Sequence, residues 1–140
     1  MYITHNHISR LFPDIKGMND QLLRFETISF STKAKQPNGL FVPLFQKDIE
    51  EAYNNGAIAT LWNENEPLPL TIPNEFAVFY VYDVLEAAIR IVEEFGVNHL
   101  NHHTKIILMN RQKTGEKILT PSAISQKHFI MLLDEWKGRV

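Results

Sequence analysis

The chain has 140 residues, 44% of them hydrophobic and 21% charged, a balance that suits one globular domain and excludes a disordered or fibrous chain. Fourteen Lys and Arg against sixteen Asp and Glu leave a formal charge of -2, so no global positive field draws the chain to nucleic acid or to an anionic membrane. With no cysteine there is no disulfide, thiolate zinc site, iron–sulfur cluster or thiol nucleophile. The opening MYITHNHISR lacks the apolar stretch of a secretory signal, and the longest apolar run, Phe76 to Tyr82, is far short of the ~20 residues that cross a bilayer. The expectation is a soluble, cytoplasmic protein.

In chain order, residues 5 to 12 suit a short helix after Thr4, with Ile8, Leu11 and Phe12 on one face and Pro13 closing it. Phe25 to Ser31 (FETISFS) and Leu40 to Leu44 (LFVPL) read as strands, the second after a Pro37-Asn38-Gly39 turn signal. Asp48 opens a helix of about two turns, with Glu51 in capping-box position and Gly56 as a left-handed terminus. Ala57 to Trp62 follows as a strand, so Leu40 to Trp62 reads as a βαβ unit. The proline-rich stretch Asn63 to Asn74 is a loop.

Phe76 to Tyr82 (FAVFYVY) is apolar on both alternating sets, the mark of a central strand covered on both faces. Asp83 and Glu86 repeat the capping pattern before Leu85, Ala88, Ile89, Val92 and Phe95, which recur at helical spacing until Gly96. Lys105 to Asn110 predicts another strand, Lys113 to Glu116 a turn, and Ile118 to Leu119 its hairpin partner. Thr120 and Pro121 start a helix through about Lys137 that would bury Ile124, Phe129, Leu132, Leu133 and Trp136.

No two glycines lie closer than seventeen positions, which excludes the clustered glycines that let backbone amides wrap a phosphate. The nucleophile-elbow, zinc-helix, EF-hand and protein-kinase signatures are absent as well, and no catalytic residue is assigned. His99, His102 and His103 would take metal-ligand spacing on a helix, but VNHLNHHT reads better as a polar loop, so no metal or cofactor is expected. Asp83 and Glu86 read as helix caps rather than an acid–base pair. Ser31, Thr32 and Lys33 end a strand with two hydroxyls and an ammonium, with Lys35 nearby. Such a group suits a phosphate at a strand's carboxyl end, or else a turn whose hydroxyls bond their own backbone.

The succession ISFSTK, NGLFVPL, DIEEAYNNGAIATLW and IPNEFAVFYVYDVLEAAIRIVEEF resembles the N-terminal domain of the Mur ligases, the enzymes that add amino acids to the UDP-MurNAc precursor of peptidoglycan. The likeness covers about residues 25 to 95. It implies a single-domain, Rossmann-like α/β sandwich, a mixed sheet flanked by helices, that cradles the UDP part of the precursor. Residues 105–140 would then be a strand, turn and helix added to that core. Three departures stand out. The family's DSR-like triplet is Ser31, Thr32 and Lys33 here; the Gly-containing loop with its DGH-like motif is reduced to Phe45, Gln46 and Lys47; and KIILMNRQKTGEK stands where the family has its ATP-binding GTNGKT loop.

The resemblance places ATP, magnesium and acyl-phosphate chemistry in domains outside this sequence. The expectation is a stand-alone, non-catalytic relative that binds a UDP-sugar or peptidoglycan precursor through Ser31, Thr32 and Lys33, with Asn38 and Gly39 in the neighbouring turn. The alternative is a protein-interaction or regulatory module in cell-wall synthesis or sporulation, docking to a partner or forming a homo-oligomer. Its supports are an exposed Trp62 loop and the C-terminal helix bearing Trp136, although covering its own sheet is the favoured reading of that helix.

Overall fold

The computed structural model describes residues 2–94, 103–109 and 116–119. In order the elements are β1 (Ile3–Thr4), α1 (His5–Leu11), β2 (Ile15–Gly17), β3 (Arg24–Phe25), β4 (Thr27–Ser29), β5 (Gly39–Phe41), α2 (Ile49–Asn54), β6 (Ala57–Asn63), β7 (Ala77–Val81), α3 (Val84–Val92), β8 (Lys105–Met109) and β9 (Glu116–Leu119). Each helix begins at a capping side chain that supplies an acceptor to first-turn amides with no partner in the helix. Thr4 and His7 form a reciprocal capping box on α1, Asp48 accepts from Glu51 N–H on α2, and Asp83 accepts from Leu85 and Glu86 N–H on α3.

The strands form a seven-stranded mixed sheet in the order β2-β7-β6-β5-β4-β8-β9, with β1 and β3 paired separately. The five inner strands, β7 to β8, run parallel, and β2 and β9 close the edges antiparallel. Helices cover both faces. On one, α1 and α3 bring Ile8, Leu85, Ala88 and Ile91 against Ile28, Leu40, Leu61 and Phe79. On the other, α2 sets Ile49 and Ala52 against Phe41, Trp62, Phe76 and Val78. This α/β arrangement is the one expected, and it explains why β7 is apolar on both alternating sets.

Several expectations change in detail. The strand from Phe25 to Ser31 is broken at Glu26, whose N–H donates to Asn38 O and whose carbonyl accepts from Lys105 N–H. Arg24–Phe25 therefore joins the small sheet and Thr27–Ser29 the large one. The buried Thr104 links the two sheets: its hydroxyl accepts from Ile3 N–H and donates to Phe25 O. The strand expected over Leu40 to Leu44 stops at Phe41, two residues before Pro43, which has no N–H for a ladder. Strand β7 is buried on both faces but lies second from the edge, because the short β2 pairs outside it. Gly17 (φ +89°) allows that approach, since a Cβ there would lie 2.0 Å from Phe76 O.

Among the described side chains of α3, Leu85, Ala87, Ala88 and Ile91 are buried and Ile89 is half-buried. Within the expected extension, residues 105–109 form β8, hydrogen-bonded to β4 along Thr27 to Ser29. The expected antiparallel pairing of β8 with β9 is present, and Glu116, expected in the turn, is the first residue of β9. Phe95, Gly96, the 113–115 turn and the helix after Thr120 lie outside the described residues.

Candidate functional site

In an open parallel sheet, ligands collect outside the carboxyl ends of the strands where the chain order reverses. Here the reversal is at β4, which has its successor β5 on one side and the much later β8 on the other. The segment leaving the carboxyl end of β4 is Phe30-Ser31-Thr32-Lys33.

That segment is held by serine hydroxyls of its own turn and by the side chains of Gln36, Gln46, Glu51 and Asn55. Ser29 Oγ accepts from Ser31 N–H (3.1 Å) and donates to Ser31 O (2.9 Å). The buried Ser31 Oγ accepts from Lys33 N–H (3.2 Å) and Ala34 N–H (3.3 Å), a turn whose hydroxyl bonds its own backbone. Thr32 N–H donates to Gln46 Oε1 at 2.9 Å, and its hydroxyl proton is shared between that oxygen and the Glu51 carboxylate. Asn55 Nδ2 donates to Thr32 O (2.9 Å), and the fully buried Gln36 donates through Nε2 to Ser31 O (2.7 Å). Ser31 and Thr32 thus fix the loop while Lys33 and Lys35 project as exposed side chains.

Asn38 and Gly39 do not join this group. Gly39 begins β5 directly after Asn38, and it pairs with Thr27 at the amino end of β4, a strand length (roughly 10 Å for three residues) from Ser31. Asn38, at φ +45°, donates to Glu26, and a Cβ on Gly39 would lie 2.7 Å from both Gln36 O and Thr27 Oγ1. Closeness in sequence suggested one site, but the loop from 30 to 38 runs back along the sheet and separates the two pairs of ends.

Asp83 is a cap, its Oδ1 2.9 Å from Leu85 N and 3.3 Å from Glu86 N. Trp62 is a correction to the sequence reading: it is 4% exposed, and its indole N–H donates to Glu66 O at 3.1 Å, so its loop offers no aromatic patch. The helix bearing Trp136 lies outside the described residues, as do His99 and His102. His103 is exposed, with its ring 5.6 Å from Tyr2. His5 is buried against Phe79 and His7 belongs to the cap of α1. Among the described residues no three His, Cys, Asp or Glu side chains are grouped to hold a metal ion.

Further along the same edge, Lys47 Nζ reaches both carboxylate oxygens of Glu66 at 2.8 and 3.0 Å, joining the segments that follow β5 and β6. Beside this pair is a cleft of about 170 Å³ walled by Pro43, Leu44, Trp62 and Leu85. Sequence reading missed Gln46, Glu51 and Asn55 as loop anchors. Glu51 carried a capping-box signal, but its carboxylate turns to Thr32 instead of completing the box. Lys47 and Glu66 are far apart in the chain and carried no local signal.

Compared with known proteins, the chain has no match among family models, curated proteins or solved structures. No helix among the described residues is long and apolar enough to cross a membrane.

Proposed function

We propose that this protein is a non-catalytic ligand-binding domain of the Mur ligase N-terminal kind, holding a UDP-sugar or related peptidoglycan precursor at the carboxyl edge of its sheet. The observation that carries this reading is the position of Ser31-Thr32-Lys33: the triplet leaves the strand at which the strand order reverses. Ser31 and Thr32 preorganise the loop, and the exposed Lys33 supplies the charge that pairs with the diphosphate. Asn38 and Gly39 have no part in contact with the ligand on this reading.

Calorimetric titration with UDP-MurNAc peptides tests it. The parent protein binds, and Lys33→Ala lowers affinity about tenfold, the ~1.4 kcal/mol of one charge-assisted contact. Absence of binding by the parent, or equal binding by the variant, contradicts the reading.

A further inference from the structure

The cleft beside Lys47 and Glu66 has a chemistry of its own. At about 170 Å³ it is well below the roughly 300–1,000 Å³ of pockets that bury drug-sized ligands, so a nucleoside diphosphate does not fit. Its inner wall is apolar: Pro43, Trp62 and Leu85 are buried side chains and Leu44 is half-buried. Its polar boundary has one cation, Lys47, two carboxylates, Glu66 and Asp83, and the Asn63 amide; Asp83 is engaged as the cap of α3, and Lys47 and Glu66 are each placed by local structure. Lys47 directly precedes the cap of α2, with its carbonyl accepting from Ile49 N–H at 3.0 Å. Glu66 closes a tight turn, with its N–H donating to Asn63 O at 3.1 Å and its carbonyl accepting from the Trp62 indole.

The two charges meet across solvent-exposed space, with 56% and 38% of their side chains accessible, where an ion pair adds little to stability. Both can therefore exchange partners at small cost. A molecule carrying one carboxylate and one ammonium on adjacent atoms satisfies both, its carboxylate replacing Glu66 on Lys47 and its ammonium taking the Glu66 carboxylate. The number of charge pairs rises from one to two, and a short apolar substituent meets the wall of Pro43, Leu44, Trp62 and Leu85.

We propose that this cleft binds a small zwitterion, an α-amino acid with a short apolar side chain, between Lys47 and Glu66. The site is separate from Lys33 and goes beyond the UDP-sugar reading. Calorimetry on the whole chain with L-leucine, with 4-methylpentanoic acid (no ammonium) and with 3-methylbutan-1-amine (no carboxylate) tests it. Leucine binds, each analogue binds at least about tenfold more weakly, and Lys47→Ala and Glu66→Gln each weaken leucine by a similar factor while Lys33→Ala does not. Unchanged thermal midpoints of the variants show that they fold. No heat with leucine, analogues that bind as well as leucine, or full binding by folded Lys47→Ala overturns the proposal. Because UDP-sugar binding depends on Lys33 and amino-acid binding on Lys47 and Glu66, either reading can fail while the other stands.

Discussion

The two ends of the parallel sheet are built on opposite principles. At the amino end, backbone packs directly on backbone: Gly39 and Gly56 press on Gln36, and a Cβ on Gly56 would stand 2.8 Å from Gln36 O and 3.1 Å from Pro37 Cα. At the carboxyl end, side chains do the joining. Thr32 is tied to Gln46 and Glu51, Lys47 to Glu66, and the spaces between them stay open. Gly39 and Gly56 therefore mark where the structure is closed, and side-chain ties mark the end that stays open.

Substitutions graded along that contrast can break it. The largest effect is expected at the amino end. Gly56 sits at φ +115° against a fixed backbone, so Gly56→Ala combines left-handed strain with overpacking and costs about 3 kcal/mol in urea unfolding. At the carboxyl end, Thr32→Val removes the hydroxyl that holds the Glu51 carboxylate and costs about 1.5 kcal/mol by the same measurement. Lys47→Ala loses only an exposed pair and shifts stability by less than about 0.5 kcal/mol. A stability loss for Lys47→Ala as large as that for Gly56→Ala would erase the distinction between the two ends.

A smaller effect concerns an exposed contact beside the amino end of β7. The exposed Tyr53 hydroxyl donates to Glu75 at 3.0 Å, and that hydrogen bond, reinforced by the carboxylate's charge, raises the phenol above its usual pKa of 10.0. The neutral phenol is the form favoured by folding, so this contribution is complete below pH 10.0 and lost as pH rises through the higher folded value. Ultraviolet titration of Glu75→Gln should show one tyrosine ionising at lower pH than in the parent.

Much of the architecture is readable from local pattern. Asp48 and Gly56 bracket α2, Asp83 starts α3, and the doubly apolar FAVFYVY requires cover on both faces. What escapes is what local pattern cannot encode. Strands β1, β2 and β3 are two or three residues long and show no period, and the place of β8 beside β4 depends on hydrogen bonds between residues almost eighty positions apart. The site is legible to the same extent. Ser31 to Lys33 could be singled out because they end a strand rich in β-branched and aromatic residues. Sequence proximity groups Asn38 and Gly39 with them, but the return path of the loop carries the pair to the other end of the sheet. Gln46 and Glu66 have meaning only through distant partners.

Amide chemical-shift mapping of the full chain during titration with a UDP-MurNAc peptide tests the placement of the ligand most directly. Perturbations centred on residues 31 to 35, with Asn38 and Gly39 unmoved, are the predicted result. Shifts centred on Asn38 and Gly39, or none at all, would contradict the assignment of ligand binding to the carboxyl end of β4.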